Sequence, residues 1–193
     1  MKTDPSKLQP WTTTAQDVAF ETPWFKIRKR HMQTPTGKEL DYYIHEGNDS
    51  VICVCVDLTN KTVLVEQQYR PPVEKVSIDY PAGHVEANDE SIEAAIRREL
   101  QEEVGFTVAS IKRLAVLDRD PGFSQTRMHV FLAQGNTSNN THPDETESIV
   151  ANFVPATEIL QMIAEGSMSC AFCLSSTLLA FKELGWLHVS TAL

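Results

Sequence analysis

Residues 81–106, PAGHVEANDESIEAAIRRELQEEVGF, constrain the fold more than any other stretch of the chain. A Pro-Ala-Gly turn leads through a short acidic loop into a helix predicted from about Ser91 to Val104. Asn88, Asp89 and Ser91 are candidate N-caps, and Gly105 is the expected stop. Ile92, Ile96, Leu100 and Val104 share one helical face. Glu99, Glu102 and Glu103 stand at i, i+3 and i+4, which brings all three to one side. The C-terminal end of a helix carries partial negative charge and favours cations. Three carboxylates there need a countercharge, and a hard divalent cation such as Mg²⁺ is the natural one. Glu103 falls within the apolar arc, close to Ile92 and Ile96, where a carboxylate is costly unless paired or metal-bound.

The chain has 193 residues, 41% of them hydrophobic, enough for one domain with an N-terminal extension. A net charge of −9 argues against a nucleic-acid backbone as partner. An anionic small substrate stays open, because a bound metal reverses the local sign. The N-terminus has no apolar signal-peptide core, and no run of about 18 apolar residues suggests a membrane span. A cytoplasmic protein without membrane partners is expected. The N-x-[ST] triplets at Asn48, Asn60, Asn136 and Asn139 then read as chance matches. Cys53 and Cys55 lie in a strand-like run, Cys170 and Cys173 in a helical one. Two readings compete: a four-cysteine zinc site, or buried free thiols in a reducing compartment, the blander of the two.

Residues 1–20 are polar and weakly periodic, and read as a loose extension. Residues 24–46 read as a β-hairpin turning at Pro35-Thr36-Gly37-Lys38. Strands are predicted over 51–57, 62–69, 76–80, 111–117, 127–133 and 149–154. Two prolines after Arg70 stop the ladder and hold that residue extended. Residues 135–146 read as a surface loop, and 156–165 and 170–184 as helices. This order suggests an α+β domain, a three-layer α/β/α sandwich with a mixed sheet. The expected division is 1–46, extension and hairpin, and 47–193, the main domain.

Gly83…Arg98-Glu99-Leu100-Gln101-Glu102-Glu103-Val104-Gly105-Phe106 resembles the Nudix box, G-x5-E-x7-R-E-U-x-E-E-x-G-U, with U apolar. The second half is intact. In the first half Glu90 keeps the spacing to Arg98 and Asp89 keeps the spacing to Gly83, so the loop is one residue longer. Gln67–Pro72, Asp79–Gly83, Asp120–Ser124 and residues 144–147 resemble segments of the ADP-ribose pyrophosphatase branch, and the likeness covers roughly residues 24–185.

The resemblance implies a Nudix fold and Mg²⁺-dependent hydrolysis of ADP-ribose to AMP and ribose 5-phosphate, with Mn²⁺ the alternative metal. Other readings are a hydrolase of another nucleoside diphosphate sugar, such as GDP-mannose, and an inactive Nudix-fold binding protein. Glu99, Glu102 and Glu103 match the metal-ligand positions, the Ala82 carbonyl a further one, and Arg98 the arginine that orients the carboxylates. Arg70 would bind phosphate or the terminal ribose, against the plainer reading of a surface arginine. The general base would be Glu147, with Glu145 second and Glu102 the alternative within the box. Trp24 or Tyr43 would stack on adenine, with core packing the competing reading for Trp24. The branch also implies a homodimer formed through the N-terminal strands.

Overall fold

The computed structural model describes residues 8–138 and 148–187. They form two compact units, one of residues up to 48 together with 118–126, the other of the remainder.

The first unit is a three-stranded antiparallel sheet in the order β1 (Thr12–Glu21), β2 (Lys26–Gln33), β3 (Glu39–Glu46). The expected hairpin is β2–β3, closed by Thr34 and Lys38 with Gly37 at φ +84°, a conformation that favours glycine. β1 corrects the reading of residues 1–20 as loose. All ten of its residues are exposed, and its pairing with β2 shifts register twice. A strand that covers no core and carries bulges shows no period of two in its sequence. The segment 118–126 lies on β3: Tyr42 Oη donates to the Gly122 carbonyl at 2.6 Å, and His45 exchanges backbone bonds with Phe123 and Gln125.

The second unit is built on β4 (Ser50–Asp57). Its sheet runs β10 (Ile149–Pro155), β5 (Thr62–Arg70), β4, β9 (Arg127–Thr137), β8 (Phe106–Asp118). β6 (Lys75–Asp79) pairs with β5, and β7 (Ala82–His84) with β4. β4 and β9 are parallel and the other registered pairs antiparallel, so the sheet is mixed. Ser50 through Val56 are buried without interruption, as expected of a strand covered on both faces. Ile52, Val54 and Val56 pack towards Ile159 of α2 (Ala156–Glu165) and Cys173, Ala180 and Phe181 of α3 (Ala171–Glu183). Val51, Cys53 and Cys55 pack on the other face with Ala95, Ile96 and Leu100 of α1 (Ile92–Val104). This is the α/β/α sandwich expected. Each fully buried Val, Leu or Ile side chain contributes about 1.5–3 kcal/mol.

The structure decides between the two cysteine readings and changes one further expectation. Cys53 and Cys55 lie in the core layer opposite Cys173, so the sheet separates the two cysteine pairs and there is no four-cysteine zinc site. β9 continues through Gly135 to Thr137, where a loop was expected. A Cβ at Gly135 would overlap the Thr107 carbonyl, so that glycine permits close strand approach.

Candidate active site

The local sequence explains how α1 is held. Ser91 Oγ accepts from the Ala94 N–H at 3.0 Å, and Gly105 closes the helix at φ +59°. Ala95, Ile96, Leu100 and Val104 bury one face, and Glu103 is buried among them at 7% exposure. No basic residue occupies the last turn. Glu102 and Glu103 stand there instead, against the helix dipole.

β7 supplies the opposing wall. Residues 81–83 were read as a turn, yet Ala82–His84 is a short strand paired with Ser50, Val51 and Ile52. β5 registers with β4 only at Val56 and Asp57, which leaves this half of the β4 edge for β7. The Pro81 carbonyl accepts from the Cys53 N–H at 3.0 Å, and Tyr80 is fully buried with its hydroxyl 2.7 Å from Thr177 Oγ1.

The two walls meet closely. The Ala82 N–H donates to the Glu103 carboxylate at 3.1 Å. A Cβ on Gly83 would overlap the Glu99 carboxylate, so only glycine lets Glu99 lie against β7. Glu99 and Glu103 thus lie against the Ala82–His84 strand, while the more open Glu102 is held beside Glu99 by Arg98.

Arg98 ties the cluster to the preceding loop. Its guanidinium lies 3.0 Å from Glu102, 3.1 Å from Glu99 and 3.1 Å from Asp89, and it donates to the His84 carbonyl at 3.0 Å. The bond to Asp89 is the largest of the effects that raise its pKa, and the same bond holds Asp89 below the usual carboxylate range. Glu90 is exposed. Asp89 also accepts from the Glu86 N–H at 2.8 Å, while its own N–H donates to the Glu86 carbonyl at 3.2 Å. The residue that keeps the spacing to Gly83, not the one that keeps the spacing to Arg98, therefore meets the arginine.

Arg70 ends β5 in an extended conformation, with Nε 3.2 Å from Asp79 and Nη2 3.7 Å from Glu66. It stays 37% exposed while Glu66 is fully buried. Asp79 reaches Arg70 only through the β5–β6 pairing, and Glu66 lies four residues back on β5 itself, so neither partner stands out in the residues beside Arg70. Trp24 and Tyr43 belong to the first unit. Trp24 is 81% exposed, which removes core packing as its role, and Tyr43 sits half-exposed in β3. Glu145 and Glu147 lie outside the described residues.

The oxygen donors fit a hard divalent cation. The cluster offers three carboxylates and a nearby backbone carbonyl, Ala82, with no thiolate or imidazole among them. One arginine offsets part of their charge, and a cation would offset more.

A metal-suited acidic helix against a glycine strand, on an α/β/α sandwich, defines a Nudix domain, and the chain belongs to the Nudix family: the NUDIX domain model matches residues 48–169. Among its relatives is the methanol dehydrogenase activator of Bacillus methanolicus, 30% identical over 161 residues, covering 82% of this chain and 86% of that protein. The ADP-ribose pyrophosphatase of Bacillus subtilis is 30% identical over 122 residues, 63% of this chain and 65% of its own length. A solved ADP compounds hydrolase superposes with a TM-score of 0.84 at 20% identity, over 93% of this chain and 97% of that one, which shows the shared fold. Among the described residues no helix is long and apolar enough to cross a membrane.

Proposed function

We propose that this chain hydrolyses the diphosphate of ADP-ribose, or a close nucleoside diphosphate sugar, in a reaction that requires Mg²⁺, with Mn²⁺ the second choice. The observation that carries the reading is that Glu99 and Glu103 lie against the Ala82–His84 strand while Arg98 pairs with both Glu99 and Glu102. The likeness to the ADP-ribose pyrophosphatase of Bacillus subtilis supports the substrate class.

Water adds to one phosphorus, the P–O bond of the anhydride breaks, and AMP and ribose 5-phosphate leave. Glu99, Glu102, Glu103 and the Ala82 carbonyl would hold the metal. When bound, Mg²⁺ neutralises diphosphate charge and polarises the P–O bond. Arg98 keeps Glu99 and Glu102 in place by ion pairing. Arg70 presents its exposed guanidinium edge to phosphate or ribose oxygens. Glu147 is the proposed base that takes the proton of the attacking water, with Glu145 second. Glu102, at 44% exposure the most open of the three box acids, is the alternative. Trp24 or Tyr43 stacks on adenine.

The reading includes a homodimer formed through the first unit, whose β1 leaves Val18 46% and Phe20 55% exposed. It also includes a cytoplasmic setting, which four free cysteines fit.

Incubation with ADP-ribose and Mg²⁺, with release of AMP as readout, tests the proposal. A substrate panel that includes GDP-mannose, ranked by kcat/KM, tests the sugar. A higher kcat/KM for GDP-mannose would move the assignment. Metal-dependent heat stabilisation with no turnover on any substrate would make the chain a binding protein.

A further inference from the structure

The C-x-x-C pair has no part in the site above. Cys170 is the N-cap of α3, and Cys173 is that helix's third residue. Their sulfurs and a carboxylate oxygen of Asp79 lie within 4.8 Å of one another. Cys173 is buried at 1% exposure, with its sulfur 3.7 Å from Asp79 Oδ1, whereas Cys170 is only partly buried. Beside Cys170, Ser169 accepts from the Lys75 ammonium at 3.1 Å.

We propose that Cys170 and Cys173 are a reversible dithiol that exchanges with low-molecular-weight disulfides, Cys170 attacking and Cys173 resolving. The two sulfurs already lie within 4.8 Å of each other, and closing them to disulfide geometry needs side-chain rotation together with a small backbone adjustment at the N-cap, where Cys170 stands outside the helix. A partly open thiol at a helix N-terminus is the reactive kind, and a sealed thiol beside a carboxylate is not. The groups agree in direction: the neighbouring Cys173 thiol, ahead of opposing burial, and the first N–H groups of α3 pull the Cys170 thiol down to about 6, while Cys170, burial and Asp79 push Cys173 up.

In the exchange, the Cys170 thiolate attacks one sulfur of the small disulfide, forms a mixed disulfide and expels one small thiolate. Cys173 then passes its proton to the Asp79 carboxylate, and its sulfur attacks Cys170. The second small thiolate leaves. Two protein thiols are oxidised to one disulfide, and one small disulfide is reduced to two thiols.

The same three groups are a candidate cation site. The Arg70 guanidinium, 3.2 Å from the other oxygen of Asp79, opposes a cation there and favours the dithiol. That contact also carries the consequence for activity. Oxidation removes the Cys173 S–H from Asp79, which holds Arg70, so substrate KM should change more than kcat. This consequence rests on the reading of Arg70 as a substrate-binding residue, whereas the dithiol does not.

The test equilibrates the full chain in graded mixtures of reduced and oxidised glutathione, quenches with acid, alkylates, and identifies cysteine states by peptide mass spectrometry. The expected result is an internal disulfide in the peptide carrying Cys170 and Cys173, reversed by dithiothreitol. Cys53 and Cys55, 3.6 Å apart but fully buried, stay thiols and serve as the control. Cys173→Ser should trap glutathione on Cys170 at least about tenfold faster than Cys170→Ser traps it on Cys173. Two free thiols in oxidised glutathione alone, equal trapping in the two variants, or stoichiometric zinc that protects both thiols would overturn the dithiol. A disulfide that forms without any change in KM would overturn only the link to Arg70.

Discussion

Ala82 and Glu103 are joined by a hydrogen bond of 3.1 Å from the strand N–H to the helix carboxylate. This contact turns a buried acid into an oriented one. Glu103→Gln keeps an acceptor for Ala82 and removes the charge. It should lower kcat by about a thousandfold, ~4 kcal/mol of barrier, with little change in melting temperature. Steady-state release of AMP and a thermal melt on the same sample check both halves.

Gly83 faces Glu99 with no room for a Cβ. The obstructing atoms are the far end of a flexible side chain, so Gly83→Ala should displace the Glu99 carboxylate and leave the fold standing. The Mg²⁺ concentration for half-maximal activity should rise by about tenfold or more. A metal titration of activity reads this, and an unchanged titration would show that Glu99 does not contribute to the metal site.

Asp89, not Glu90, is the loop partner of Arg98. Asp89→Asn should therefore reduce kcat/KM by about 10–100-fold, as expected when support for metal ligands is lost. Glu90→Gln should stay within about twofold, because an exposed side chain without a structural role tolerates neutralisation. Reversed ranks would return the role to Glu90.

Asp49 gives a pH signature away from the site. It accepts from the Arg127 N–H at 2.8 Å and from His129 Nε2 at 3.1 Å, where β4 begins beside β9. Burial pushes its pKa up, but the bonds from His129 and Arg127 outweigh burial and hold it below the usual carboxylate range. A depressed native pKa stabilises the fold above the unfolded value, about 3.9, and that stabilisation is lost as pH falls through the native value. Asp49→Asn should cost about 1–2 kcal/mol at pH 7, and the gap from the parent should close in acid. Denaturant melts between about pH 3 and 7 measure the trend.

The first unit predicts an assembly. Light scattering at micromolar concentration should give twice the mass of one chain. Phe20→Glu, which places a charge on the exposed β1 strand, should shift the mass towards a single chain. A single-chain mass for the parent protein would remove the homodimer from the proposed function.

Much of α1 was legible because its grammar is local. Caps, apolar period and acid spacing within α1 all depend on neighbours within four residues, and Ser91, Gly105 and Glu103 stand where helical geometry requires. β1 was not legible. Its ten exposed residues have no inside and outside to alternate between, and two register shifts break any remaining pattern.

What the sequence by itself determined was therefore the helix, its carboxylates and the family they belong to, since a helix brings i, i+3 and i+4 together whatever surrounds it. Tertiary structure decided what lay beyond that reach. The longer loop folded Asp89 onto Arg98 and left Glu90 in solvent. The β5–β6 pairing set Asp79 against Arg70, and the sheet put Cys53 and Cys55 on the opposite face from Cys173. Each outcome depends on which strand lies beside which, and long-range pairing is written in no local spacing.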